Sequence, residues 1–373
     1  TIYLGGSFFN VGPPTGQGLP TQATTGAPFA RYPRVAGTVW AVLADGERGW
    51  FIGGTFERVG GLARKNLAYV YADGRVSPWA PDPSGSVWAL ALDRGTLFVV
   101  GSFANIAGKP RSRAAAIDVA SRRVLDWDPN VEGGPVWAVA VDCNRVYLGG
   151  YFSNVAGQTR YALAAVDREA GVPTPWSPAA SGDRVFAIAL GGDAVYVGGQ
   201  FPAMSGQLRS HLAAFDRSTN ELLPWRWTIE RIPECNHCDS GPFVQTLTVA
   251  GSRLYFGGSF TDVDTLARSG LAAIDLETHA LTAWDPQATG APPWPYVYTL
   301  AARRGVVYVG GHFDSLGGVA HAYTGAVDGE TGRATEWFPR PNADVYALAA
   351  TDRAVYIGGD FTSAWSWQRR KNL

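Results

Sequence analysis

Val146-Tyr147-Leu148-Gly149-Gly150-Tyr151-Phe152 is an apolar run broken by two glycines and closed by a phenylalanine. Close variants stand at residues 3–8, 51–56, 98–103, 196–201, 255–260, 308–313 and 356–361. The eight copies lie mostly 47 to 49 residues apart. A unit of that size cannot bury its own apolar face and must stack on its neighbours, so the run reads as the signature of a repeat architecture.

Composition agrees with a turn-rich, all-β chain. Of 373 residues, 17% are charged, 46 are glycine and 14 are tryptophan. That is the make-up of a globular protein and not of a disordered one. A formal net charge of −1 offers no electrostatic footprint for nucleic acid or for an anionic membrane surface. No apolar run approaches the roughly 20 residues that span a bilayer. The chain begins inside a strand pattern and ends at Arg370-Lys371-Asn372-Leu373, which repeats Arg64-Lys65-Asn66-Leu67. We therefore read 1–373 as a single domain from a longer chain, and the lack of a leader says nothing about compartment.

Each unit carries four strand signals. The first is Val-aromatic-Ala-aliphatic, as in Val39-Trp40-Ala41-Val42 and Val136-Trp137-Ala138-Val139, apolar on both faces and so read as buried on both. A short turn leads into the glycine-glycine strand, and the two make a hairpin. A third strand ends in aspartate, as in Leu163-Ala164-Ala165-Val166-Asp167, and that aspartate opens a turn. The fourth ends in a tryptophan, usually Trp-X-Pro: Trp79, Trp127, Trp176, Trp225, Trp284 and Trp337. Counted from the second glycine, aspartate falls at +17 and tryptophan at +26 in five consecutive units, with Ala23 and Tyr32 at those places in the first.

Four antiparallel strands per unit, repeated radially, predict a β-propeller. Eight equivalent strands favour eight blades over seven. Seven would result if the last Val-Tyr-Ala-Leu strand completes the first blade. Strand glycines cost about 0.5–1 kcal/mol each against alanine, so their recurrence implies close approach of a neighbouring blade.

The order of apolar strand, Tyr-X-Gly-Gly, Asp-terminated strand and tryptophan is similar to kelch blades. The fuller pattern Gly-Gly-X-Phe, Gly-X-X-Arg, Leu-Ala-Ala-X-Asp, Trp-X-Pro resembles secreted bacterial propeller-repeat proteins of unknown function. The resemblance spans essentially the whole chain and carries no catalytic residues. It implies an exported protein of the cell envelope or extracellular space.

Three features are candidates for chemistry. A recurrent arginine stands about ten residues past the glycines, at Arg64, Arg111, Arg160, Arg209 and Arg268, with His321 in its place once. A guanidinium ring could bind an anionic polymer, but membership of the repeat favours structural pairing with nearby carboxylates that staples adjacent blades. Cys235-Asn236-His237-Cys238 lies in the longest insertion, residues 226–242. Haem attachment needs histidine after the second cysteine, and structural zinc needs a fourth ligand. Cys235 and Cys238 are therefore disulfide candidates, with free thiols and a metal site as alternatives. Cys143 reads as a lone thiol.

The third candidate is the rim that bears the insertions 226–242 and 287–296, with Trp227, His237, Trp294 and Tyr296 as speculative binding residues. No nucleophile elbow, zinc helix or phosphate loop is present. No cofactor or metal is expected, although structural calcium at Asp262-Val263-Asp264 stays open. The expectation is a non-enzymatic module binding another envelope or extracellular protein. The alternative is a carbohydrate-binding or carbohydrate-active propeller. Aromatics in a groove beside carboxylates would favour the glycan, and a flat apolar rim the protein partner.

Overall fold

The computed structural model describes residues 15–46, 48–178, 180, 184–230, 241–290 and 295–365. They form strands and turns, and no helix among them is long and apolar enough to cross a membrane. The Cys-X-X-Cys motif, His237, Trp294 and the first glycine-glycine run lie outside them.

The repeat unit is a meander, with the glycine-glycine strand in the middle. Val136–Val141, Arg145–Gly150 and Leu163–Asp167 pair antiparallel in that order. So do Val87–Asp93, Thr96–Gly101 and Ala114–Asp118. Val35–Ala44, Gly49–Val59 and Leu67–Tyr71 form another such sheet. Further sheets start from the inner strands Arg184–Gly191, Phe243–Ala250 and Tyr296–Arg303.

The last sheet is built from both ends of the chain. Val345–Ala350 pairs with Ala354–Gly359, and the third strand is Gly18–Gln22, with Gly18 opposite Gly358 and Gln22 opposite Ala354. Seven sheets of this kind are described, not the eight favoured from the sequence. The eighth glycine-glycine strand takes its outer partner from the first repeat, so those two repeats share one sheet. Gln22, one residue before Ala23, occupies the register of Asp167. Each inner strand packs on the next, and Val345–Ala350 packs on Val35–Ala44 to complete the circle.

The fourth strand is reduced to a single bridge per sheet, such as Val166 to Pro173 and Ile274 to Leu281. A tryptophan anchors the segment beyond that bridge. Trp127, Trp284 and Trp337 are buried, and their indole N–H groups donate to the carbonyls of Asp167, Asp328 and Gln22 in the following sheet at 3.0–3.1 Å. The ends of the sheets away from the first glycine are tied by ion pairs that cross from sheet to sheet. Arg168 meets Asp93 at 3.1 Å, Arg217 meets Asp142 at 3.3 Å, Arg253 meets Glu330 at 2.5 Å and Arg303 meets Asp352 at 2.7 Å.

The two glycines have different reasons. At the first, a Cβ would lie 2.5 Å from a valine methyl of the next inner strand: Val87 for Gly53, Val185 for Gly149 and Val297 for Gly257. At the second, a Cβ would collide with a backbone carbonyl at the start of the unit's own inner strand, that of Pro135 for Gly150 and Arg184 for Gly199. The first can give way by side-chain adjustment, and Val100 fills that place in one sheet. The second cannot. Gly150→Ala is expected to cost about 1–3 kcal/mol or more as an overpacked site, and more than Gly149→Ala, in the midpoint of denaturant unfolding.

The strand-terminal aspartates open turns as read. Asp216 accepts bonds from Ser218 N, Ser218 Oγ and Thr219 N. The Ser218 hydroxyl first, then the two N–H groups, hold its carboxyl down to about 2. Asp118, Asp275 and Asp328 are also lowered by bonds within their turns. A depressed native pKa contributes stability above the unfolded value of about 4 that is lost as pH falls through the folded one. Urea midpoints should therefore fall between about pH 4 and pH 2, with a shallower fall in Asp216→Asn.

Candidate binding site at the channel mouth

The second glycine has a consequence inside the ring. In every inner strand the register slips by one residue opposite it, between Val39 and Ala41, Val136 and Ala138, Val185 and Ala187, and at the equivalent places. This is a β-bulge, which re-aims one side chain. The extra residues are Trp40, Trp88, Trp137, Phe186, Gln245, Tyr298 and Tyr346, and all seven line one axial cavity of about 510 Å³. Read as flat strands, these positions look buried on both faces; in the structure they are half-buried around a channel.

The rings form an arc. Trp88 lies 4.9 Å from Trp40, Trp40 4.4 Å from Tyr346, and Tyr346 5.0 Å from Tyr298 by ring centroids. Phe243 and Tyr296 carry the arc past Gln245, with centroid spacings of 6.1, 5.9 and 5.7 Å from Tyr298 to Phe186. Phe186 then meets Trp137 at 5.4 Å. Tyr296 thus joins the site, entering from the 287–296 connection, while Phe243 enters from the 226–242 connection beside it. The described flanks of both insertions, Phe243 and Tyr296, therefore stand at the same end of the channel.

Polar groups crown that mouth on the Tyr346 side. The Tyr346 hydroxyl donates to Asp360 Oδ2 at 3.1 Å and lies 3.4 Å from Asp344 Oδ2. Thr38 donates to Asp360 at 2.6 Å, and His312 Nδ1 lies 2.6 Å from Asp344 Oδ1. Burial, then the two carboxylates, push the Tyr346 hydroxyl well above the usual tyrosine range; burial and Asp344 do the same to Tyr298. Both hydroxyls stay protonated at neutral pH, and Tyr346 serves as a donor.

Trp227 is not a platform. It is 3% exposed, packs among Phe256 and Phe260, and donates its indole N–H to the His279 carbonyl at 3.1 Å. It holds the place that proline holds in the other Trp-X-Pro segments, a spacing readable in Trp225-Arg226-Trp227. Trp225 instead stacks on His279 at 3.7 Å.

The repeat arginines are structural in a way the sequence did not specify. Arg111, Arg160, Arg209 and Arg268 each donate to the preceding carbonyl, and to Leu125, Thr174, Leu223 and Thr282 carbonyls at 2.7–3.1 Å. Arg64 does so to Ser77 at 2.8 Å. They pin the short fourth segment of their own sheet, where pairing between blades through carboxylates was expected. Carboxylates lie further off, Asp128 and Asp285 at 3.7 Å. His321 replaces the guanidinium by stacking on Phe338 at 4.4 Å. Cys143 is free and exposed. Asp262 and Asp264 are engaged by Thr261 and by the Thr228 N–H, and no metal-holding group of three or more His, Cys, Asp or Glu residues occurs among the described residues.

No protein-family model matches the sequence, and no curated protein sequence does. Solved structures do resemble the fold. The WD40 beta propeller domain of Doa1 is 9% identical with a TM-score of 0.57, covering 90% of this chain and 94% of that one. A computationally designed protein, Ika8, is 14% identical with a TM-score of 0.51, covering 89% and 96%. The extracellular domain of a B. thetaiotaomicron protein described as a hybrid two component system is 12% identical with a TM-score of 0.53. This chain covers 39% of that structure and 87% of itself is matched. The class is that of an all-β, β-propeller-like protein.

Truncating Trp227 should unfold rather than blind the protein. Trp227→Ala is expected to lose about 3–5 kcal/mol of stability, as large-to-small core changes do, seen as a lowered melting temperature.

Proposed function

We propose that the protein is an exported, non-enzymatic β-propeller of seven kelch-like blades that binds another envelope or extracellular protein through the channel mouth. The observation that carries this reading is the arc of eight aromatic rings delivered to one face by rigid inner strands. Aromatic anchors of low side-chain entropy dominate protein interfaces, and here the bulges present six of the eight on hydrogen-bonded strands. Tyr151 and Tyr161, 51% and 55% exposed, extend the aromatic surface beyond the channel. An extracellular location is supported by the repeat resemblance and by one fold neighbour that is itself an extracellular domain.

Binding of a glycan is the second reading. It is favoured by one feature: the aromatics line a concave cavity with Asp344 and Asp360 alongside, and not a flat rim. Asp344 and Asp360 share the Tyr346 hydroxyl, and we assign them to recognition, with no catalytic step routed through them.

Native mass spectrometry of the untagged protein from its source tests the first reading. A discrete heavier species is expected, and Trp137→Ala with Tyr151→Ala should weaken it by roughly thirtyfold or more if these are central anchors. A heavier species indifferent to both substitutions would move the interface elsewhere. A clean monomer that binds a neutral oligosaccharide would establish the glycan reading instead.

A further inference from the structure

Ion pairs that cross between sheets are made at one end of the channel, where the turn aspartates such as Asp216 are held by hydroxyl and N–H bonds instead. At the end away from the mouth, Asp93, Asp142, Glu330 and Asp352 each face an arginine of a neighbouring sheet. At the mouth this neutralisation fails. Among the described residues Asp360 has no cationic group within ion-pair distance, and Asp344 has His312 alone. Arg184, across the mouth, is set over the Tyr151 ring at 5.9 Å and pairs with neither carboxylate. Asp344 directly precedes Val345–Ala350 and Asp360 directly follows Ala354–Gly359, with Asp360 N donating to Asp344 O at 3.1 Å. Their side chains therefore meet at one hydroxyl, that of Tyr346, whose ring is part of the cavity wall.

The aromatic ring beside them is already engaged by its neighbours. Tyr346 stacks on Trp40 at 4.4 Å and meets Tyr298 edge to face at 5.0 Å, and Trp40 in turn lies 4.9 Å from Trp88. A sugar ring needs an open aromatic face, and Tyr346, the ring nearest the carboxylates, already gives one to Trp40. A long aliphatic stem needs only apolar walls to lie along, and lysine and arginine carry such a stem behind a charged head. Two carboxylates sharing one neutral donor keep acceptor capacity for that head, because each oxygen has two lone-pair sites.

We propose that the mouth recognises a basic residue of the protein partner, lysine or arginine. Its charged head sits against Asp344 and Asp360, and its stem lies along Tyr346 and Trp40 at the entrance to the cavity. This deepens the protein-binding reading and rests on it. The Thr38 hydroxyl fixes Asp360 in place, and Arg184 opposite repels a misplaced second cation and so orients the segment.

The test uses blocked tripeptides Gly-Arg-Gly, Gly-Lys-Gly, Gly-citrulline-Gly and Gly-Glu-Gly on the whole protein. Binding is followed by calorimetry and by the fluorescence of Trp40, Trp88 and Trp137. The Arg or Lys peptide should bind saturably and weaken as salt is raised, while the citrulline and Glu peptides should not bind. Asp360→Asn and the double variant Asp344→Asn, Asp360→Asn should each lower affinity by about tenfold or more, as loss of a close charge pair does, with unchanged melting temperature. Arg184→Gln, which removes a charge without touching the acidic pair, should leave binding intact or strengthen it. Equal binding of the citrulline and Arg peptides, or undiminished binding in the double variant, would overturn the proposal. So would no response to any basic peptide while the heavier native species persists; in that case partner binding stands and the basic residue does not.

Discussion

A carbonyl that fills the space of a side chain sets the geometry of the ring. At the start of each of the seven inner strands, a backbone oxygen occupies the position that a Cβ on the partner strand would take: Thr38 against Gly54, Ser86 against Gly101, Asp344 against Gly359 and their equivalents. Only glycine tolerates it. The oxygen stands there because the inner strand holds one residue more than its partner across that step. The bulge and the glycine are therefore one feature seen from two strands. Its product is a side chain turned toward the axis, and in six of seven sheets that side chain is aromatic.

The rest of the packing holds these bulges in a circle. The first glycine admits the valine of the next inner strand, which brings adjacent sheets close enough for their faces to interdigitate. Tryptophan indoles then bond across to the following sheet, and guanidinium groups clamp the short outer segment that carries each tryptophan. Opposite-charge pairs reinforce the far end. Such exposed or half-exposed pairs contribute little singly, and the turn aspartates of that face, such as Asp216 and Asp275, are held by hydroxyls and N–H groups instead. The mouth keeps Asp344, met by His312, and Asp360, which has no cation within ion-pair distance among the described residues, beside an aromatic wall.

Much of the fold was legible because it is written many times. Strand order, the meander, the turn-forming aspartates and the anchoring tryptophans each recur in register, and repetition turns weak local preferences into a firm pattern. The blade count was not legible. It depends on whether Ala354–Gly359 finds its third strand in Gly18–Gln22, a pairing between distant segments that no local pattern encodes. The site was half legible. Tyr296 lies in the aromatic arc, whereas Trp227, singled out for its place in an insertion, is buried among Phe256 and Phe260. The channel aromatics were in plain view in Val39-Trp40-Ala41 and its relatives. A flat-strand reading buries them, and only the bulge, whose sequence mark is the recurrent second glycine, turns them inward. The meeting of His312, Asp344 and Asp360 depends on two strands coming into register and has no spacing of its own.

The shared terminal sheet also shapes how the ring comes together. Joining Gln22 to Ala354 before anything else has formed closes a loop of 332 residues (354 minus 22). Closing the short connection between Gly149 and Leu163 spans 14 (163 minus 149). On the logarithmic scaling of loop entropy the difference is about 3 kcal/mol, enough to make the seam a late event that waits for the other six sheets to bring its two sides together. By the same reasoning it is the natural place for the circle to part. A ring assembled from near-identical wedges is thereby given one distinguishable joint, between Gly18–Gln22 and Ala354–Gly359. Any ligand that bound only the closed ring would lengthen the life of this seam, so its occupancy and the lifetime of the closed ring become two readings of one equilibrium.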